Sequence, residues 1–126
     1  KNYNDFLQVG KGWKWHEDLT ISTPLGKVYF CHGKMADIFR HAQSLGMSAV
    51  AGHYHSQYGC RWYGNSLGLY YGLQCGSLID PKALAFKYNK LQKARPVIGT
   101  AVIINGIPIL EPMILNDKGK WVGKLF

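Results

Sequence analysis

A strand, helix, strand order in the first half of the chain most constrains its fold. Residues 28–31 form an apolar run that predicts a short strand, and residues 48–51 form a second such run. Between them, apolar residues recur at helical spacing over residues 35–45, and Gly46 stands where a helix cap belongs, which predicts an amphipathic helix. In open α/β sheets, ligands bind beyond the carboxyl ends of the strands. The residues that follow each strand are therefore the first candidates for a site.

Histidines stand at both of these positions. His32 closes the first apolar run and precedes Gly33, which lets the backbone turn away, and the sequence Gly-His-Tyr-His follows the second run at residues 52–55. Side chains two apart in extended backbone point to the same side, so we expect His53 and His55 to face one pocket. Neutral imidazole is a common ligand for zinc, manganese and iron-type ions. The three histidines therefore predict a metal site.

An alternative interpretation of the same histidines needs no metal. His53 or His55 would then be a buried residue that hydrogen-bonds to backbone carbonyls. No carboxylate lies within a few positions of the three histidines, so the sequence shows neither a metal-bridging group nor a general base. The motifs of serine hydrolases, phosphate loops and dinucleotide-binding sites are also absent from the sequence.

The charge balance predicts an anionic partner. The 126 residues contain 15 basic and 7 acidic side chains, a net charge of +8 that suits a phosphate-bearing substrate or nucleic acid. Five basic residues on a helix predicted to begin at Asp80 are candidates for binding it: Lys82, Lys87, Lys90, Lys93 and Arg95. The alternative is a solvated helix face that only keeps the protein soluble. No run of about 18 apolar residues and no signal-peptide pattern occurs, which predicts a cytoplasmic protein without a membrane partner.

The remaining segments favour antiparallel strands. Residues 1–27 show no sustained period and predict a loop-rich entry. Aromatic-rich segments at residues 58–63 and 67–75 flank a short turn and predict an antiparallel pair. Asn105-Gly106 between two apolar runs predicts a tight type I′ hairpin. We therefore predict a single α+β domain over residues 1–126, with a mixed, largely antiparallel sheet and two main helices.

These motifs together carry a resemblance to a known family. A strand that ends in His32-Gly33, a helix, a strand that ends in Gly-His-x-His, antiparallel strands and then Gly76-Ser77 resemble the C-terminal half of a calcineurin-like metallophosphoesterase. Residues 72–80, 85–86 and 108–113 look like a subgroup carried by bacteriophages and prophages. The resemblance covers nearly the whole chain. It implies half of an αββα sandwich and, for a phage-encoded protein, a place in the host cytoplasm.

The resemblance also implies a function and its cofactors. The expected activity is metal-dependent hydrolysis of phosphomonoester or phosphodiester bonds at a centre of two divalent ions, of Mn, Zn, Fe or Ni. By resemblance, His32 and His53 would bind one ion and His55 would bind the other. The family's other ligands come from an N-terminal half with Asp-x-His, Gly-Asp and Gly-Asn-His-Asp motifs, and none of the three occurs in this sequence.

The missing motifs shape what we expect of partners. The chain looks as if it begins where the family's first half ends, so we expect it to be inactive alone and active when another chain or the parent polypeptide supplies that half. Half of a sandwich leaves an apolar face that either this half or a second copy of the chain would cover. The alternative function is a non-catalytic basic module that keeps the half-fold and binds nucleic acid or protein through residues 82–95.

Overall fold

A mixed five-stranded sheet forms the centre of the computed structural model, which describes residues 3–80 and 95–123. Its strands are β1 (Asp18–Thr23), β2 (Gly26–Cys31), β3 (Ser48–Ala51), β4 (Tyr58–Asn65) and β5 (Gly68–Cys75), in the order β1-β2-β3-β5-β4. Helices α1 (Tyr3–Leu7) and α2 (Ile38–Leu45) and a hairpin of β6 (Gly99–Ile104) and β7 (Ile107–Pro112) complete the described chain. The predicted α+β class is confirmed, and the second predicted main helix falls outside the described residues.

The predicted strand, helix, strand unit is present. Strands β2 and β3 are parallel neighbours, and β3 is also parallel to β5. Helix α2 ends at Gly46, whose φ of 62° is left-handed, as predicted. It begins at Ile38 instead of at Met35, because the Asp37 carboxylate accepts hydrogen bonds from the backbone N–H groups of Phe39 and Arg40 and so caps the helix there. No helix among the described residues is long and apolar enough to span a membrane.

The prediction of a loop-rich entry over residues 1–27 is wrong for its last third. Strand β1 pairs antiparallel with β2, so that Leu19 lies opposite Phe30 and Ile21 lies opposite Val28. A hydrogen bond from the Thr23 hydroxyl to the Gly26 carbonyl, 2.7 Å long, closes the turn between the two strands. This edge strand has only two apolar positions, which is too short an alternation to predict from sequence.

The two faces of the sheet are covered differently. Helix α2 packs on one face, where Ile38 and Ala42 meet the two alanines of β3. The hairpin of β6 and β7 covers the other face, which presents Val28, Tyr71 and Leu73. The sheet is therefore the middle of three layers in the described structure.

Both predicted hairpins are confirmed. Strand β4 pairs with β5 over eight registered positions, from Tyr58 opposite Cys75 to Asn65 opposite Gly68. At the tip of the β6–β7 hairpin, Asn105 has a φ of 53° and Gly106 a φ of 89°. Positive φ at both central residues is the mark of a type I′ turn.

Candidate metal site at the sheet edge

Parallel pairing brings the candidate residues to one edge of the sheet. Cys31, the last residue of β2, lies opposite Ala51, the last residue of β3, and Ala51 in turn lies opposite Gln74 of β5. His32 and Gly52 therefore follow neighbouring strands side by side. This is the edge at which the sequence predicts a site.

His32 and His53 meet at this edge. The Nε2 atom of His32 lies 3.0 Å from the Nδ1 atom of His53, and both side chains are exposed. The ring centroids are 4.9 Å apart and the ring planes are inclined at 75°. Two nitrogen lone pairs repel each other at this distance unless a proton or a cation lies between them. The pair is thus arranged either to share one proton in a hydrogen bond between the two rings or to bind one cation.

The separation of the two nitrogens fits one metal ion. Ligand nitrogens about 2.1 Å from an ion, in adjacent positions at a right angle, are about 3 Å apart. The observed 3.0 Å between the His32 and His53 nitrogens is compatible with this value, and it is equally the length of an ordinary hydrogen bond between two imidazoles. Two imidazoles bind an ion only weakly, and the described ranges hold no group of three His, Cys, Asp or Glu side chains suited to a metal. The described residues therefore do not supply a two-metal centre, and a ligand role for His32 and His53 stays a prediction.

The expectation that His53 and His55 face the same side rests on extended backbone, and that premise is wrong. His53 has a φ of 69°, which is left-handed, and the Tyr54 amide donates to the Gly52 carbonyl at 2.8 Å. The Gln57 amide then donates to the Tyr54 carbonyl at 2.9 Å. The alternation of side chains in a strand does not apply to a segment that turns in this way. A ligand role for His55 stays a prediction.

The carbonyl of His55 ties the turning segment to another part of the chain. It accepts a hydrogen bond from the Val97 amide at 2.8 Å, and the His55 side chain is half-buried. Val97 precedes β6, so this hydrogen bond joins the edge that carries His32 and His53 to the start of the β6–β7 hairpin.

Gly33 fixes the place of His53. A Cβ atom on Gly33 would lie 2.6 Å from the Cβ atom of His53 and 3.0 Å from its Cγ atom. Such contacts are shorter than real side chains make, so the His53 side chain rests on the bare backbone of residue 33. Sequence analysis predicts Gly33 as a turn residue, and the structure adds that its missing side chain makes room for the partner histidine.

Gln74 is a residue of this edge that sequence analysis misses. Its side chain is 1% exposed, and the Nε2 atom donates a hydrogen bond to the Gly52 carbonyl. The Oε1 atom is buried and has no hydrogen-bond partner in the described part of the chain. The only sequence signal is a single amide side chain at the end of an otherwise apolar strand.

A carboxylate at the same end of the sheet is already engaged. Asp18, which lies opposite Cys31, forms an ion pair with Lys34 and accepts a 3.0 Å hydrogen bond from the Tyr29 hydroxyl. The hydrogen bonds from Lys34 and then from Tyr29 lower the pKa of Asp18, and the Asp18 carboxylate raises the pKa of Lys34. Asp18 is therefore a poor candidate for the missing anionic ligand.

The predicted basic face is described only at its end. Lys82, Lys87, Lys90 and Lys93 lie outside the described residues, and Arg95 is an exposed residue at the start of the second described range. Their role in binding substrate or nucleic acid stays a prediction.

The chain matches no model of a known protein family. It also matches no curated protein and no solved structure. The phosphoesterase resemblance therefore stays a prediction.

Proposed function

We propose that this chain supplies the histidine part of a metal-dependent phosphoesterase centre, which hydrolyses phosphomonoester or phosphodiester bonds once another polypeptide segment supplies anionic ligands. The observation that carries the proposal is the 3.0 Å separation of the His32 and His53 nitrogens at the carboxyl ends of two parallel strands. A divalent ion such as Mn²⁺ or Zn²⁺ at this pair would activate water and stabilise the charge on phosphoryl oxygens.

Two features of the chain's own residues support the proposal. The imidazoles of His32 and His53 are neutral ligands, so they leave the charge of a bound cation uncompensated and favour anionic groups beside it. The net charge of +8 attracts phosphate-bearing molecules over longer distances. Both features suit a phosphate ester as substrate and carboxylates as the ligands still needed.

The apolar outer surface of the β6–β7 hairpin favours the binding of a partner segment. Its outward residues Val102, Ile104 and Ile107 are 45%, 53% and 51% exposed. Ile104 lies directly opposite Ile107, and Val102 lies opposite Ile109, so the exposed side chains form one β-branched patch. Patches of this kind mark interaction surfaces. We propose that the complementing polypeptide covers this patch, and a second copy of the chain is the competing outcome.

Complementation tests the proposal. The chain is mixed with a polypeptide that bears Asp-x-His, Gly-Asp and Gly-Asn-His-Asp motifs, Mn²⁺ is added, and hydrolysis of a chromogenic phosphodiester is followed. We expect hydrolysis only in the mixture, and its loss in His53→Ala because one ligand of the ion is removed. His16→Ala is the matched control, since His16 is exposed and lies outside the His32–His53 pair.

Two outcomes contradict the proposal. Hydrolysis that survives in His53→Ala would place the chemistry elsewhere, and a chain that associates only with its own copies would remove the complementing segment. Binding of DNA that weakens steeply with salt and is unchanged in His53→Ala would instead favour a basic binding module.

A further inference from the structure

We infer that Gln74 is a positioning residue whose buried amide sets the left-handed turn that aims His53 at His32. The consequence for metal binding rests on the proposed function, whereas the consequence for the turn does not. The Nε2 atom of Gln74 donates a hydrogen bond to the carbonyl of Gly52, the residue that follows β3.

The burial of Gln74 needs an explanation other than stability. Ser48 and Gln74 are the buried polar residues of the described chain, and Tyr71 is a buried residue with a polar hydroxyl. The Ser48 hydroxyl oxygen accepts a 3.1 Å hydrogen bond from the Tyr71 amide, so it has a partner. The Oε1 atom of Gln74 has none in the described ranges. An unpaired buried oxygen is costly, so an apolar side chain of the same length would suit the core better.

The orientation of the Gln74 amide is fixed by its neighbour. If the amide were flipped, Oε1 would face the Gly52 carbonyl and two acceptors would repel. The Gly52 carbonyl already accepts a 2.8 Å hydrogen bond from the Tyr54 amide, so it needs no second donor. The Nε2 bond from Gln74 therefore adds little to satisfying this carbonyl, and its main effect is to hold the direction of the carbonyl.

Holding that direction constrains His53. The Gly52 oxygen and the His53 nitrogen belong to one planar peptide group, so a fixed oxygen fixes the plane from which the φ angle of His53 is measured. That φ is 69°, a value that side-chain-bearing residues adopt only with support from their surroundings. Gly33 supports the His53 side chain from one side, and Gln74 holds the peptide that precedes it.

The variant Gln74→Met tests the inference in the metal-free chain. Methionine keeps the length of the side chain but removes the donor to Gly52. We expect the nuclear Overhauser contact between the His32 and His53 rings to disappear and the Tyr54 amide to exchange about tenfold faster, because the turn opens locally while the core stays closed. The thermal midpoint should stay within a few degrees of wild type. If Gln74→Met does not fold, Gln74→Leu carries the same expectation.

The control is Val28→Ala. Val28 is buried at the opposite end of β2 and packs on the hairpin face of the sheet. This variant should lower the thermal midpoint and leave the ring contact and the Tyr54 amide unchanged. Retention of both signals in Gln74→Met would overturn the inference, whatever the metal affinity.

A Ni²⁺ titration of the same proteins separates this inference from the proposed function. We expect Ni²⁺ to bind about tenfold more weakly to Gln74→Met than to wild type, the size of effect typical for residues that orient a ligand. Equal binding to wild type and His53→Ala would contradict the proposed metal site and leave the ring contact and amide exchange to decide on Gln74. Weaker binding to His53→Ala with wild-type binding to Gln74→Met would contradict the inference alone.

Discussion

The two faces of the central sheet are packed by opposite means. On the helix face, α2 approaches the backbone of β5 so closely that a Cβ atom on Gly72 would lie 2.8 Å from the Cα atom of Phe39 and 2.9 Å from the carbonyl oxygen of Ile38. On the hairpin face, the large side chains Tyr71 and Leu73 fill the space between sheet and hairpin. The helix face is thus closed by backbone contact, and the hairpin face by side chains.

The hairpin face also leaves large apolar side chains exposed at the edges of the sheet. Leu19 lies opposite Phe30 and Trp62 lies opposite Tyr71, so both point toward the hairpin side, yet each is 42% exposed. On the helix face Ala42 and Ala49 are fully buried. Close contact between small residues on the helix face leaves no space for a larger side chain. The exposed apolar side chains of the hairpin face can still be covered by a further partner. The helix face therefore defines the fold, and the hairpin face presents the exposed apolar surface on which a partner can bind.

The largest effect is expected at the helix face. Gly72→Ala adds a Cβ atom against the backbone of Ile38 and Phe39, and we expect it to lower the free energy of unfolding by about 3 kcal/mol. Urea unfolding followed by circular dichroism measures the change. Gly64→Ala on β4 is the control, because its nearest neighbour would be the Leu69 Cδ1 atom at 4.0 Å, and it should change stability by less than about 0.5 kcal/mol. Equal effects would show that the helix face is not close-packed.

A smaller loss is expected when the hairpin is disturbed at its tip. Gly106→Val places a β-branched residue at a φ of 89° and presses it against Thr23 and Leu25, so stability should fall by about 2 kcal/mol. Thermal melting measures the loss. Asn105→Gly keeps the positive φ of the turn and should melt close to wild type. If Gly106→Val melts at the same temperature as wild type, the hairpin does not contribute to covering its face of the sheet.

The smallest effect has the opposite sign. The Tyr71 hydroxyl is buried under the hairpin without a hydrogen-bond partner in the described part of the chain. Removing it in Tyr71→Phe should raise the free energy of unfolding by about 1 kcal/mol. Across the sheet, Tyr70→Phe removes the 3.2 Å hydrogen bond that the Tyr70 hydroxyl accepts from Asn65 and should lower stability slightly. A loss of stability in Tyr71→Phe would mean that its hydroxyl has a partner.

The same tyrosine gives this third prediction a pH signature. Burial raises the pKa of Tyr71 to about 12, with the Cys60 thiolate as a further cause, above the value near 10 of an unfolded chain. Between these values the folded chain retains a proton that the unfolded chain has lost. Ionisation of Tyr71 therefore does not affect the free energy of unfolding below about pH 10. It lowers the free energy of unfolding as the pH rises toward 12. Tyr71→Phe should lose less stability than wild type over this window in urea unfolding.

Local patterns predict much of this fold. The strand, helix, strand unit and the Asn105-Gly106 hairpin depend on short-range spacing and turn chemistry, and both are confirmed. Strand β1 is not predicted, because an edge strand with two apolar positions carries a weak pattern. The start of α2 is predicted three residues too early, because the capping side chain of Asp37 sets it. At the start of α2 a single capping interaction outweighs the apolar period, whereas in β1 the period is too short to predict a strand.

The candidate site is less predictable for a different reason. Sequence analysis places His32 and His53 at one edge because parallel strands end together, and the structure brings them into contact. The left-handed conformation of His53 depends on Gly33 and Gln74, which lie 20 and 21 residues away in the sequence. Contacts at that separation leave no mark in the local pattern, so the sequence could not show that the backbone from His53 to His55 turns instead of running extended.

The prolines of β7 decide how this hairpin would meet another strand. Ile104 and Ile107 flank the type I′ turn and exchange hydrogen bonds. Hydrogen-bonded pairs alternate with pairs that exchange none, and Pro108 and Pro112 belong to the second kind, so their backbone nitrogens point away from β6. Proline has no amide hydrogen, so the outer edge of β7 lacks two of the donors that edge-to-edge aggregation uses. Strand β6 has no proline, so of the two outer edges of this hairpin the β6 edge keeps more of the amide donors that pairing with another strand requires.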